Sequence, residues 1–373
     1  LPLYLKSNIF TIPEFLEKRF DKRSRYYFSG ICIIGNIFLD AAGALYAAAL
    51  IIKLILPEAD LQTVIIIFGI IAASYTIPGG LSSAINAELI QAVILIVGSV
   101  ILTVFCFREG GAYLSGLLAD GDFSVKLIRP LDDPSTPWLG LIVGMPVLGI
   151  YFWANNQTLV QRVLSAKSVD EGRKGILLTG FLTLLTLVII VFPGIISRYL
   201  FPGLEKPDMV YPNMVMQLMP VGLLGVMLAA LLAALTSTLS AILNSTSTLF
   251  TMDFYAQLNK KADSASLVKV GKVASLVIIV LAMLWAPYIG KFGSLLKYYQ
   301  EMLSYIAPPV VAAFLLGVFG KWVNGSGVFI GLLGGLGIAV CMLFFKEMIF
   351  GNMHFLLIVP YLLTASMVIM VVA

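Results

Sequence analysis

The sequence predicts an all-α membrane protein that crosses the bilayer many times. Only 12% of the 373 residues are charged and 60% are hydrophobic, whereas soluble proteins are about 25% charged. About ten apolar stretches have lengths close to the ~20 residues that a helix needs to cross a bilayer. None of them alternates apolar and polar residues as barrel strands do, so the backbone amides must be satisfied within helices.

In chain order, the apolar stretches predict helices over 27–54, 61–77, 85–107, 139–160, 175–200, 221–251, 267–288, 298–318, 328–345 and 354–372. A turn is expected at Pro78-Gly79-Gly80, between the second and third helices. The segment 108–137 is rich in Gly, Asp and Pro, and it predicts a loop on the outer side of the membrane.

The positive charges predict the orientation. If the residues before the first helix are cytoplasmic and the helices alternate, most of the 24 Lys and Arg residues lie on the cytoplasmic side, as the positive-inside rule requires. This loop bias accounts for the net charge of +4, so no nucleic-acid partner is predicted. We expect a multi-pass protein of the cell membrane, in contact with the lipid bilayer, in a bacterial inner membrane and without an obligate protein partner.

Leu1 is not a methionine, and Ala373 lies inside an apolar run. We therefore expect residues 1–373 to be one incomplete transmembrane domain, cut at both ends.

Two carboxylates interrupt the apolar helices. A charge at the bilayer centre costs roughly 2.5–3.5 kcal/mol, so each needs a partner or a function. Asp40 lies within the first helix, where it either binds a solute or cation or makes a structural hydrogen bond. Glu88 follows the predicted turn, and it either belongs to an ion pathway or lies near the inner surface.

The sixth helix carries a dense run of hydroxyl side chains over 236–248. Ser237, Thr238 and Ser240 fall within about one helical turn of 3.6 residues. Hydroxyl oxygens suit a small alkali cation that must also be released. They equally allow helices to pack closely and to hydrogen-bond across an interface.

An aromatic and amide cluster lies in the fourth helix. Phe152 and Trp153 precede Asn155, Asn156 and Gln157, a combination that suits a polar ligand with an apolar face, such as a sugar ring. The alternative is an aromatic belt at the membrane surface.

The sequence contains no pattern typical of an enzyme. It has a single histidine, His354, and no metal-ligand cluster, nucleophile elbow or phosphate-binding loop. The glycines of 331–335 lie inside an apolar helix and predict close helix packing.

Several short stretches resemble the sodium/solute symporter family, and specifically its sodium/glucose cotransporter branch. They are 12–20 (IPEFLEKRF), 79–81 (GGL), 156–157 (NQ), 160–167 (VQRVLSAK), 244–253 (NSTSTLFTMD) and 299–300 (YQ). They occur in the family's order and spacing, and the resemblance covers nearly the whole chain.

The resemblance implies the inverted-repeat transporter fold, in which two five-helix units cross the membrane in opposite senses. Residues 1–107 would be the remainder of the first repeat, without its first two helices. Residues 138–320 would be the second repeat, and 321–373 would form peripheral helices.

The resemblance also implies a sodium site. The principal sodium ion would be bound by the carbonyl of Ala234 and the hydroxyls of Ser237 and Thr238. Glu88 stands where many members have an aspartate implicated in a second cation site, and Ser240 is close to the same pattern.

For the solute, Gln300 matches a glutamine that binds sugar hydroxyls. Phe152 matches an aromatic residue that stacks under the sugar, and Trp153 follows it as in the family. Thr183 stands where sugar cotransporters have a lysine, and Asp40 lacks a lysine partner that animal members have one turn earlier.

The resemblance thus implies sodium-coupled symport of a small polar solute, a sugar, by alternating access. The alternatives are a sodium symporter for a polyol, sialic acid or an organic acid, and a transporter-like sensor domain joined to a signalling module. An anionic solute would need a cationic residue in the pocket, and the sequence suggests none within the helices.

Overall fold

The computed structural model describes Tyr4, Ile9 and residues 11–119, 128–204, 206–320, 322–351 and 353–373. Side chains are described throughout these ranges except at 79–88, 346–347 and 349–350.

The described residues form an all-helical structure. Its helices are α1 (Ile12–Arg19), α2 (Lys22–Ile55), α3 (Leu61–Ala119), α4 (Gly140–Asn155), α5 (Gln157–Leu164), α6 (Val169–Leu200), α7 (Val210–Leu218), α8 (Val221–Leu258), α9 (Ser264–Phe292), α10 (Leu295–Phe319), α11 (Gly325–Phe350) and α12 (Phe355–Val372). Nine segments of the described chain are long and apolar enough to cross a membrane, and α3 contains two of them, Leu61–Pro78 and Leu89–Ala119. The predicted polytopic helical class is therefore confirmed.

Helix α3 is longer than the sequence predicts. It continues through Pro78, where a turn was expected. A proline removes only one helical hydrogen bond, and membrane helices tolerate this loss.

The same helix extends to Ala119, so the first part of the predicted outer loop, 108–137, is helical. The extension is stabilised by packing, because the ring of Tyr113 stacks on that of Tyr199 at the end of α6, with centroids 4.9 Å apart.

The predicted fourth helix, 139–160, is interrupted. Asn156 has an extended backbone (φ −73°, ψ 117°) and separates α4 from α5. Its side-chain Oδ1 accepts a hydrogen bond from Leu159 N at 3.3 Å. An asparagine at this position caps the N-terminus of the following helix, so the local chemistry of one residue outweighs the apolar pattern.

Helices α2 and α8 pack against each other. Ala41, Ala42, Ala48 and Ala49 of α2 are fully buried. Small side chains allow membrane helices to approach closely. The result is a close-packed pair of helices around which the polar residues of the site are arranged.

Helices α10, α11 and α12 form a second packed group. A Cβ added to Gly331 would lie 2.1 Å from Met370 Cγ, and one added to Gly335 would lie 2.9 Å from Pro309 Cβ. Only glycine allows this approach. The prediction that the glycines of 331–335 serve close helix packing is confirmed.

Candidate functional site

A cavity of about 560 Å³ lies between α2, α4, α5, α8 and α10. Four residues singled out by the sequence line it, namely Asp40, Phe152, Asn156 and Thr238. Its remaining polar lining residues are Thr158, Arg162, Asp208 and Tyr299. The structure therefore brings together part of the predicted site.

Three of the lining residues lie in π-helical turns. Leu39 and Asp40 belong to the turn Asn36–Ala41 of α2, and Phe152 belongs to Tyr151–Asn155 of α4. A π turn widens the helix locally and is frequent at functional sites. In α4 the π turn is followed at once by the break at Asn156, so this part of the lining lies at an interruption of regular helix.

Asp40 is half-buried, and neutral groups satisfy its carboxylate. The side chains of Tyr299 and Asn156 both hydrogen-bond to it. With the Asn36 amide oriented so that its nitrogen faces α2, that nitrogen donates to Asp40 Oδ2 at 3.2 Å, and the amide oxygen accepts from Thr246 Oγ1 at 2.9 Å. Among the described residues Asp40 forms no ion pair.

The predicted sodium ligands of α8 lie together at one level of the helix. Ser237 Oγ donates to the carbonyl of Ala234 at 3.0 Å. Thr238 is exposed to the cavity, and no described residue hydrogen-bonds to its hydroxyl. A carbonyl and two hydroxyls are the hard oxygen ligands that suit an alkali cation. Ser240 is 3% exposed and does not line the cavity.

Two further predicted residues line a second cavity. Trp153 and Thr183 face a space of about 450 Å³ beside α6, and Arg162 of α5 lines both cavities. The rings of Phe152 and Trp153 meet edge to face, with centroids 5.2 Å apart, so adjacent residues face different cavities.

Gln300 is half-buried on α10, beside Tyr299, and neither of these two cavities includes it in its lining. The side chain of Glu88 lies outside the described residues.

Sequence reasoning did not identify Asp208 at this site. Both carboxylate oxygens of Asp208 accept from Leu295 N, at 2.9 and 3.0 Å, across the start of α10. Burial raises the pKa of Asp208, while the bond from Leu295 N and the charge of Lys206 act in the opposite direction. Its partner is distant in the chain, so no local pattern could have indicated the contact.

Arg162 and Tyr299 also line the cavity, and sequence reasoning gave neither a site role. Both fall within the stretches that carry the family resemblance, which was the available signal. The sequence led us to expect a pocket without a cationic residue, and the position of Arg162 in the cavity lining corrects this expectation. Arg162 lies in the last turn of α5, whereas the sequence predicts a loop at this position.

Outside the cavity lining, the structure contains a buried ion pair that the sequence analysis did not identify. Arg25 Nη2 lies 2.5 Å from Asp253 Oδ1, and Asp253 is fully buried. Ser29 Oγ and Thr11 Oγ1 donate to the same carboxylate at 2.6 and 3.0 Å. The pair joins the start of α2 to the end of α8.

Comparison with known proteins identifies the family. The profile described as "Sodium:solute symporter family" matches residues 1–335. The chain belongs to the sodium:solute symporter family. This is a family of transporters, so the prediction that the chain is not an enzyme is confirmed.

The sequence is also similar to sodium/glucose cotransporters of animals. Sodium/glucose cotransporter 1 of Ovis aries is 36% identical over 91% of this chain and 57% of its own length. Sodium/glucose cotransporter 4 of Homo sapiens is 37% identical over 91% of this chain and 55% of its own length. The chain thus spans a little over half the length of these relatives.

A solved structure shares the symporter fold. It is a sodium-coupled sialic acid symporter in a substrate-bound outward-open state, with a TM-score of 0.79 and 21% sequence identity, and the match covers 100% of this chain and 78% of that one. The likeness confirms the predicted secondary-transporter fold.

Proposed function

We propose that the full-length protein carries a small polar solute, a sugar, across the membrane together with sodium by alternating access. The observation that carries this proposal is the convergence of Asp40, Phe152 and Thr238 on one cavity. These residues supply an acceptor for hydroxyl groups, an aromatic face and a cation ligand. Its volume of about 560 Å³ falls within the ~300–1,000 Å³ of small-molecule sites.

Sodium is the driving ion in this proposal. Ala234 O, Ser237 Oγ and Thr238 Oγ1 supply neutral oxygens, which bind an alkali cation weakly enough for release. Described residues offer no cluster of acidic, Cys and His side chains for a tightly held metal, and a transported ion needs none. Glu88 and Ser240 remain the proposed positions of a second cation.

The solute contacts follow from the lining. Phe152 offers a face on which a sugar ring can stack, and Asp40 has lone pairs beyond those used by its protein partners. Gln300, Trp153 and Thr183 remain proposed contacts. We infer a neutral solute, because the cavity carries two carboxylates, Asp40 and Asp208, against the single guanidinium of Arg162.

A second candidate is an acidic sugar. Arg162 lines the cavity, and a guanidinium recognises a carboxylate by paired hydrogen bonds. However, Arg162 already interacts with other parts of the protein. Binding an acidic solute would require it to exchange that partner.

Transport by the full-length protein in proteoliposomes tests the proposal. An inward sodium gradient should drive uptake of labelled glucose, and an equal potassium gradient should not. Phe152→Ala should reduce uptake because stacking is lost. Phe319→Ala is the matched control. Phe319 is 79% exposed, so this variant should transport normally. Equal uptake in both gradients would refute sodium coupling, and competition by sialic acid but not by glucose would favour the second candidate.

A further inference from the structure

The short helix α1 is fastened to three other helices on the predicted cytoplasmic side. Ile12 N donates to Gln157 Oε1 at 2.7 Å, which links α1 to α5. Thr11 Oγ1 donates to Asp253 of α8 at 3.0 Å. Arg19 donates to the carbonyls of Gly317 and Gly320, at the end of α10, at 3.0 and 2.6 Å. Helix α1 is therefore hydrogen-bonded to α5, α8 and α10, while α5 also packs directly against α8.

The hydrogen bond between Ile12 and Gln157 satisfies an N–H group at the N-terminus of α1. The first N–H groups of a helix have no partner within it, and the side chain of Thr11, the N-cap of α1, accepts no bond from them. Gln157 of α5 fills this role from another part of the chain. Removing its amide would leave Ile12 N without the acceptor that now satisfies it.

Several buried polar atoms around Gln157 have no hydrogen-bond partner within the described part of the chain. Gln157 is 1% exposed, and its Nε2 has no hydrogen-bond partner among the described residues. The same holds for Asn155 Nδ2 and Thr158 Oγ1 on either side. Buried polar groups without partners raise the free energy of the arrangement that buries them. Water admitted by a movement of α5 would satisfy all three.

We propose that Gln157 is a positioning residue that closes the cytoplasmic end of the solute path by holding α5 against α1. The inference rests on the proposed transport function. Helix α5 is separated from α4 by the extended Asn156, so it can move without disturbing α4. Closure gains the Ile12 bond and opening relieves the unpaired atoms, so each arrangement has a favourable interaction that the other lacks, as a two-state gate requires.

The accessibility of a thiol in the cavity tests whether Gln157 holds the cytoplasmic end closed, and this measurement does not depend on transport. Ala241 of α8 lines the cavity, so Ala241→Cys reports on access in a full-length variant whose native cysteines, including the three of this chain, are replaced. A membrane-impermeant maleimide is added from the cytoplasmic side in inside-out vesicles. Gln157→Leu should react severalfold faster than the parent, because the acceptor is lost while the volume is nearly kept.

Two variants on the same helix act as controls. Gln157→Glu keeps an acceptor at the N-terminus of α1, where a negative charge is favourable, and should react as slowly as the parent. Gln161→Leu makes the same chemical change at a half-buried position one turn further along α5 and should also match the parent.

Ile12→Pro provides an independent test if Gln157→Leu fails to fold. Ile12 is fully buried, so Ile12→Val, which shortens the side chain but keeps the N–H, is the packing control. Proline is tolerated at the first position of a helix and lacks the N–H that donates to Gln157, and Thr11 already has the extended backbone (φ −129°, ψ 150°) that precedes proline. This variant should also react faster. If folded Gln157→Leu or Ile12→Pro protein reacts with the maleimide at the parental rate, the proposed role of Gln157 in closure is wrong. The proposed function would stand or fall separately on sodium-driven uptake.

Discussion

At the scale of single residues, the partners of Asp40 define its role. Tyr299, Asn156 and Asn36 are neutral donors around a carboxylate in a membrane-spanning helix. A membrane protein usually pairs such a charge or uses it in function. Because no cation pairs with it among the described residues, the carboxylate keeps acceptor capacity directed to the cavity that it lines.

This arrangement predicts the effect of Asp40→Asn. An amide keeps the shape but exchanges one acceptor for a donor, so selectivity among sugar epimers should change while sodium affinity stays near normal. Mispairing a buried polar group costs about 1–3 kcal/mol, which is roughly 5- to 140-fold in apparent affinity. Competition by epimers during sodium-driven uptake measures the change. Asp60→Asn, at an exposed helix cap, is the control, and loss of stability with unchanged selectivity would show a structural role instead.

The hydroxyls of α8 predict sodium dependence. Ser237→Ala or Thr238→Ala should raise the sodium concentration for half-maximal uptake severalfold, because each removes one of a few oxygen ligands. Thr236→Ala is the matched control, since its hydroxyl is bonded to Leu232 O within the helix and lies outside the cavity lining. If the double alanine variant keeps the parental sodium curve, the ion binds elsewhere.

At the scale of helices, the contact between α11 and α10 predicts a difference between two nearby glycines. Gly335→Ala places a methyl group 2.9 Å from Pro309 Cβ, and overpacking of this kind costs about 1–3 kcal/mol. Gly337→Ala meets nothing within 4 Å and should gain up to about 1 kcal/mol of helix propensity. Thermal unfolding in detergent should therefore give a lower Tm for the first variant and an equal or higher Tm for the second. Equal Tm values would contradict the close packing of these helices.

The helices were largely predictable because lipid imposes a simple rule on length and composition. The positions of Asp40 and Thr238 on membrane-spanning helices were also predictable, since polar residues within apolar runs are conspicuous. Phe152 was indicated by the amide side chains that follow it in the sequence. The break at Asn156 was not, because a single capping side chain determines it against an apolar background. The Asp208 contact with Leu295 N depends on the packing of distant segments, which no local pattern encodes.

At the scale of the whole molecule, the ion pair between Arg25 and Asp253 joins the two parts of the chain that the resemblance assigns to different repeats. Arg25 also bonds Glu17 at the end of α1, so one guanidinium connects three helices. In a low-dielectric interior such a pair adds little net stability over apolar residues of similar size, yet breaking it is costly. The effect of the pair is therefore to hold α1, α2 and α8 in one arrangement.

A double-mutant cycle tests this connection. Arg25→Met leaves the fully buried Asp253 without its counterion and should destabilise the protein by about 3–5 kcal/mol, seen as a fall in Tm. Adding Asp253→Leu removes the unpaired charge, so the double variant should regain much of the loss. Arg173→Met, in an exposed pair with Asp170, should change stability by less than about 1 kcal/mol. If the two single losses simply add in the double variant, the residues act independently, and the connection between α2 and α8 must come from the packing of their small side chains.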